Sequence, residues 1–166
     1  CIDFFSPLAD QGPDPGADAV YLPGGYPELH AGRIAANSVF HGLMSLARER
    51  GAAIFGECGG YMVLGEELTS EDGNIHSMLG FLPLQTSFAK RELNIGYRMV
   101  RMLTKSLLGK EGMVFRGHEF HYATIARERG GQPLFQASNA AGEDMGKMGL
   151  VAGRVAGSFV HLIDYS

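Results

Sequence analysis

The stretch Gly56-Glu57-Cys58-Gly59-Gly60 constrains this chain more than any other. The apolar run Ala52-Ala53-Ile54-Phe55 precedes it and Tyr61-Met62-Val63-Leu64 follows. That order reads as a buried strand, a glycine-hinged turn and the start of a helix. A cysteine at such a turn has its sulfur pushed out of the sheet edge, toward the positive end of the helix. Helix N-terminal amides and the macrodipole favour the thiolate there. The Gly-x-Cys-x-Gly spacing is the cysteine counterpart of the Gly-x-Ser-x-Gly nucleophile elbow, whose glycines permit a strained turn and close backbone approach. Against the plainer role of a small buried apolar residue, Cys58 is the candidate nucleophile.

Upstream of the elbow, Ile2 to Phe5 reads as a short strand, followed by a turn-rich stretch from Ser6 to Gly16. Ala19-Val20-Tyr21-Leu22 is a second short strand, stopped by the breaker Pro23-Gly24-Gly25. Asn37 or Ser38 is placed to cap a helix in which Val39, Leu43, Leu46 and Ala47 recur at helical spacing, and Gly51 ends it. Strand, helix, strand, helix in this order predicts parallel strands with crossover helices. Ligand sites in such sheets lie at the carboxyl ends of the strands, where Gly24-Gly25 and Cys58 both fall.

Downstream, Glu71-Asp72-Gly73-Asn74 signals a hairpin turn. Leu93, Ile95, Tyr97 and Met99 alternate with Asn94, Gly96, Arg98 and Val100, the period of a half-buried strand. Further strands are expected over Met113 to Tyr122, Leu134 to Ala137, Met148 to Val151 and Val155 to Leu162.

A cysteine nucleophile needs a base, and six histidines are available. His30, His41 and His76 read as surface or partly buried residues of a turn, a helix and a hairpin. His161 ends the last predicted strand and is placed to emerge at the same sheet edge as Cys58. His118 and His121 are three apart on a strand and so point to opposite faces; they do not form a chelating pair, and no metal site is expected. Gly24-Gly25 is either a plain turn or, with the Gly59 amide, an oxyanion hole whose donors are typically worth ~3 kcal/mol each in the barrier. The chain has no Gly-x-Gly-x-x-Gly or P-loop motif, so nothing in it predicts ATP or dinucleotide binding.

The 166 residues suit one domain with a full core. The net charge of −4 and the lack of a basic run give no reason for a nucleic-acid partner. Two cysteines make a poor disulfide framework and favour a reducing, cytoplasmic setting. No apolar run reaches the ~18 residues that would span a membrane.

Several motifs, taken in order, resemble the class I glutamine amidotransferase domain of the cobyrinate (or hydrogenobyrinate) a,c-diamide synthase family. They are Leu22-Pro23-Gly24-Gly25-Tyr26-Pro27-Glu28, Gly56-Glu57-Cys58-Gly59-Gly60-Tyr61-Met62, Thr86-Ser87-Phe88-Ala89-Lys90-Arg91, Gly96-Tyr97-Arg98, Gly117-His118-Glu119-Phe120-His121-Tyr122 and Gly157-Ser158-Phe159-Val160-His161. The resemblance covers nearly the whole chain. It implies a three-layer, flavodoxin-like α/β fold with a mostly parallel central sheet, in one amidotransferase domain over residues 1–166. It implies hydrolysis of glutamine, with ammonia passed to an N-terminal synthetase domain that uses ATP and Mg to amidate the a and c carboxylates of a corrinoid ring. No cofactor is expected in the amidotransferase domain itself.

Carried over residue by residue, Cys58 is the nucleophile, His161 the general base, and Gly25 and Gly59 the oxyanion-hole positions. Gly24, Tyr61 and His121 are expected to contact substrate. Many class I enzymes carry a glutamate two residues after the histidine; here that position is Ile163, and Asp164 lies one further on. A Cys58–His161 dyad is therefore expected, with Asp164 as a substitute orienter. The Thr86-to-Arg98 and Gly117-to-Tyr122 segments are expected to pack the site or face the synthetase domain. The family's domain begins earlier, with another strand and helix, so the chain reads as an N-terminally truncated fragment. It is expected to be less stable alone or to associate, for instance as a homodimer. The alternatives are the amidotransferase domain of cobyric acid synthase and a non-catalytic regulatory domain of the same fold.

Overall fold

A computed structural model describes residues 1–165. Its strands are β1 (Ala19–Leu22), β2 (Ala53–Glu57), β3 (Glu67–Thr69), β4 (Ile75–Ser77), β5 (Leu84–Ser87), β6 (Asn94–Met102), β7 (Val114–His121), β8 (Thr124–Glu128), β9 (Gln132–Asn139), β10 (Asp144–Ala152), β11 (Val155–Ser158) and β12 (Val160–Tyr165). The helices are α1 (Ala31–Ala36), α2 (Ser38–Glu49) and α3 (Gly59–Leu64). Eight strands form one sheet in the order β1-β2-β11-β10-β9-β6-β7-β12, and a second sheet runs β4-β3-β5-β8.

The α/β expectation holds, but the parallel pairing expected of the main sheet is confined to β1, β2 and β11. Every pairing from β11 outward to β12 is antiparallel. For β9–β10 and β10–β11 the reason is loop length: residues 140–143 and 153–154 are too few for the crossover that parallel pairing needs. The sheet curls until its far end returns to β2, so that the thiol of Cys58 donates to the Phe120 carbonyl of β7 at 3.8 Å. The concave side of the curl encloses a core of Phe55, Val100, Met102, Leu134, Phe135, Ala137, Val151, Ala156 and Val160.

All three helices feed a different core, built on one face of the parallel strands around Val20, Leu22 and Ile54. Of the two capping candidates it is Asn37 that caps α2, its Oδ1 accepting from the Phe40 N–H at 2.9 Å, with Ser38 the first helical residue; Gly51 takes the left-handed conformation after the last turn (φ 81°). The buried face of α2 is Phe40, Met44 and Ala47, whereas Val39 and Leu46 are exposed. Of the four positions read from the sequence, Ala47 is buried and Leu43 half-buried, so the buried stripe is rotated by about one residue from the expected one. Burying a Phe or Met contributes about 2–3 kcal/mol each.

Three further expectations need correction. Residues 1–5 form no strand, and Ile2 and Phe4 are 82% and 89% exposed. β1 is the edge of the sheet, and between it and the first residues lies a cavity of about 1180 Å³ lined by Ile2, Phe4, Val20, Leu22 and Val63. The strand expected over Val155 to Leu162 is two strands, broken at Phe159, where the chain leaves β2 and turns to β7. In β6 the alternation is correct and the face is inverted: Arg98, Val100 and Met102 are buried while Ile95, Tyr97 and Met99 are exposed. The hairpin at residues 71–74 forms as expected, pairing Thr69 with Ile75.

Candidate active site

β2 and β11 run parallel in register, Gly56 beside Gly157 and Glu57 beside Ser158, so both chains leave the sheet at the same level. Cys58 and Phe159 are the next residues on each side. Cys58 sits at φ 50°, ψ −102°, a backbone region that non-glycine residues rarely occupy. Holding it there costs about 1–3 kcal/mol, a cost met by the surrounding contacts. Its N–H donates to the Ser158 carbonyl at 2.8 Å and its carbonyl accepts from the Met62 N–H at 3.2 Å. The nucleophile elbow read from the sequence is therefore present as backbone geometry.

The two glycine turns meet here. The Gly60 N–H donates to the Pro23 carbonyl at 3.1 Å, which pins the Pro23-Gly24-Gly25 turn to the start of α3. A Cβ built on Gly59 would lie 2.8 Å from the Gly25 nitrogen, so the two backbones are in contact. Gly59 is the first residue of α3, and its N–H lies outside the intrahelical ladder. A Cβ on Gly24 would lie 2.6 Å from His161 Cε1. Gly24, Gly25, Gly59, Cys58 and His161 thus form one cluster, although they come from three separate stretches of the sequence.

His161 is the second residue of β12 and is partly exposed. Its Nδ1 is 2.9 Å from Glu57 Oε1, and its ring stacks on His118 at 4.7 Å between centroids. Asp164 does not reach it: that side chain is exposed and accepts from the Tyr165 N–H. Asp164 and His161 stand three residues apart across a bulge in the β12–β7 pairing, and the expected orienting role is withdrawn. Glu57 is what the sequence reading missed. Its proximity to His161 spans 104 residues and arises only because β12 returns to the end of β2.

Tyr61 and His121 were expected to touch substrate, and the structure commits both elsewhere. Tyr61 is fully buried, edge-on to Phe159, with its hydroxyl donating to Glu128 at 3.5 Å. His121 is buried against the Phe159 ring, with Nδ1 3.0 Å from the Ala123 carbonyl and Nε2 2.9 Å from Glu119. Glu119 also accepts from Arg98 Nε at 2.8 Å. Burial opposes its charge, yet the bonds and charges of His121 and Arg98 hold the Glu119 carboxyl below its usual range. This buried Arg98–Glu119–His121 chain braces β6 and β7 behind the site and leaves no polar atom of His121 for a ligand. As their spacing demands, His118 and His121 lie on opposite faces of β7.

The thiol corrects a further expectation. Burial pushes Cys58 up to about 11; the Gly59 N–H opposes this, and the charges of Glu57, Glu28 and Glu119 reinforce it. A helix of six residues does not outweigh that burial and three carboxylates. The resting form is the thiol. Iodoacetamide at pH 8 should therefore modify exposed Cys1 and leave Cys58 almost untouched, with Cys58 labelling rising about tenfold per pH unit up to about pH 11. Peptide mapping by mass spectrometry across that range checks it; a labelling midpoint below pH 8 would contradict it.

The profile of the CobB/CobQ-like glutamine amidotransferase domain matches residues 2–165. The hydrogenobyrinate a,c-diamide synthase of Sinorhizobium sp is 60% identical over 163 residues, covering 98% of this chain and 37% of the relative. The enzyme of the same name from Rhizobium meliloti (strain 1021) is 55% identical over 169 residues, covering 99% and 38%. The one from Rhodobacter capsulatus is 52% identical, covering 96% and 36%. The chain thus spans a little over a third of the length of these relatives. Among solved structures, one described as a glutamine amidotransferase aligns with a TM-score of 0.57 at 20% identity, covering 88% of this chain and 71% of that one. PurLQS from Thermotoga maritima aligns with a TM-score of 0.57 at 20% identity, covering 87% and 68%. At such identity the likeness is one of fold. With the match over residues 2–165, the strained cysteine elbow and the glycine pair beside it place the chain in a family: it belongs to the CobB/CobQ-like glutamine amidotransferases.

Proposed function

We propose that this chain is the glutaminase portion of a hydrogenobyrinate a,c-diamide synthase, supplying ammonia for amidation of the a and c carboxylates of the cobalt-free ring. The observation that carries the chemistry is the Cys58 elbow closed against the Gly24-Gly25 turn and His161. The ring substrate and the second half-reaction come from the names of relatives 52–60% identical over nearly the whole chain.

His161, with Nδ1 engaged by Glu57, has Nε2 left to take the thiol proton. The Cys58 sulfur then attacks the side-chain amide carbon of glutamine. The Gly25 and Gly59 N–H groups receive the developing oxyanion, typically worth ~3 kcal/mol for each donor. Collapse breaks the C–N bond, and the imidazolium proton leaves with the nitrogen as NH₃. Water adds to the γ-glutamyl thioester with its proton passing to His161; glutamate departs, and the sulfur is reprotonated. The balance is glutamine plus water giving glutamate plus ammonia. A thiol that rests protonated suits this route, since it is ionised only when substrate and base are both in place.

The synthetase portion, with its ATP, Mg and corrinoid, belongs to the part of the enzyme outside this chain. Opposed residues of antiparallel strands share a face, so Ile95 with Phe120, and Tyr97 with His118 and His161, form adjoining rows. Ile95, Tyr97, Met99 and Phe120 are all exposed there. An open apolar face continuous with the catalytic histidine is the surface on which that portion would sit and receive ammonia.

The test is a glutamine-analogue affinity label. At pH 7.5, 6-diazo-5-oxo-norleucine should add to Cys58 stoichiometrically while iodoacetamide does not, because only the analogue fills the site in which His161 acts. A folded sample that binds glutamine yet forms no Cys58 adduct would sink the proposal.

A further inference from the structure

The geometry points to Glu57 as the positioning residue of a Glu57–His161–Cys58 triad, its third member supplied by the residue before the nucleophile. The inference rests on the glutaminase reading above. Glu57 ends β2, and its carboxylate holds β12 at two points: Oε1 lies 2.9 Å from His161 Nδ1, and Oε2 accepts the Leu162 N–H at 3.3 Å. Two bonds from one carboxylate to successive residues fix both the place and the tilt of the imidazole. The carboxylate is largely buried, and no lysine or arginine among the described residues pairs with it. Among the described residues, His161 is thus the side chain that can bring a positive charge to it; the Tyr21 hydroxyl, which also hydrogen-bonds the carboxylate, is neutral.

The arrangement follows from the sheet. Phe55 and Glu57 are two apart on β2 and share a face, where Tyr21 of β1 stacks on Phe55 at 6.2 Å. Burial, and then the neighbouring Glu57 charge, push the Tyr21 phenol up to about 12, so this neighbour stays neutral beside the carboxylate. Cys58 follows Glu57 directly, but its positive φ turns the chain sharply between them. One residue thus orients the base while the next delivers the sulfur. With Nδ1–H donating to Glu57, the lone pair of the neutral imidazole lies on Nε2, the nitrogen that must accept the thiol proton. The carboxylate also stabilises the imidazolium that results.

His161 meets Glu57 from β2, His118 stacked from β7, and the uncharged Gly24 turn. Tyr97 of β6 shares the row with His118, and Arg116 with Asp164 forms the next row on β7 and β12. Glu28 and Glu119 act on Cys58.

The experiment uses the full-length synthase. Glu57→Gln should lower kcat for glutamine hydrolysis at least about a hundredfold with KM little changed. It should move the acid limb of kcat/KM to lower pH, because a charge favouring the imidazolium is gone. Glu57→Asp, which keeps the charge on a shorter arm, should hold the wild-type limb and recover part of the rate. Loss of rate with an unmoved acid limb in Glu57→Gln, or a rate within threefold of wild type, would overturn the inference. A measurement without substitution stands beside these: ¹⁵N shifts of labelled His161 should show the proton on Nδ1 in the neutral ring, and the Nε2–H tautomer would overturn it. If wild type itself formed no Cys58 adduct with the diazo analogue, the glutaminase reading would fail instead, which keeps the two failures distinct.

Discussion

His161→Ala in the full synthase should reduce glutamine-supported amidation about a thousandfold and leave amidation supported by added ammonium salts within about twofold of wild type. The size follows from the resting state of the nucleophile. With the Cys58 thiol pushed up to about 11, fewer than about one molecule in a thousand carries the thiolate at neutral pH without help. A base that takes the proton as the sulfur attacks supplies most of that deficit. The same histidine returns a proton to the departing nitrogen, so its loss slows both halves of acylation. Cys58→Ala should be equally inactive, and the double variant no worse than either, since residues acting as one unit do not contribute additively. Rates for both nitrogen sources, measured on one preparation, check it. Loss of the ammonia-supported rate as well would place the damage in folding or docking. Retention of the glutamine rate would assign the base elsewhere, and His118, stacked at 4.7 Å, is the side chain to test next.

How much of this was legible in the sequence depends on the range of the interaction involved. The elbow, the cap at Asn37, the stop at Gly51 and the turn at residues 71–74 are local: a few residues fix the backbone, and the sequence reading placed each correctly. The faces of α2 and β6 were misread for one shared reason. Periodicity gives a stripe, and which stripe is buried depends on what packs against it. In β6 the buried positions include Arg98, charged and legible as surface, because Glu119 from the neighbouring strand neutralises it inside. Ile95, Tyr97 and Met99, legible as core, face outward beside His161. A surface that belongs against another part of a protein has the composition of a core, and alternation alone cannot separate the two. Glu57 was hidden differently: it lay inside the recognised motif, one residue from the nucleophile, but its partner is 104 positions away. A carboxylate beside a nucleophilic cysteine, where no local base or cation explains it, was the available signal.

Gly60→Ala should destabilise the domain by at least about 3 kcal/mol, a fall in Tm of roughly 6–12 °C for a domain of this size. A Cβ at residue 60 would stand 2.1 Å from the Leu22 carbonyl oxygen and 2.7 Å from its carbon. Those atoms are backbone, with no rotamer to yield, and Leu22 is held in register with Gly56 on β2. α3 and β1 would have to part by about an ångström, comparable to the overlap itself. That displacement breaks the Gly60-to-Pro23 hydrogen bond and draws the Gly24-Gly25 turn from Gly59 and His161. Activity should therefore fall further than stability explains, even below the melting range. Gly42→Ala is the matched control: it lies exposed on α2 with nothing within 4 Å of the added carbon, and should stabilise by about 0.5–1 kcal/mol. Thermal melts of the two variants, with glutaminase rates at 20 °C, test the contrast. Equal and small shifts would mean that the close approach of α3 to β1 is not what holds the elbow in place.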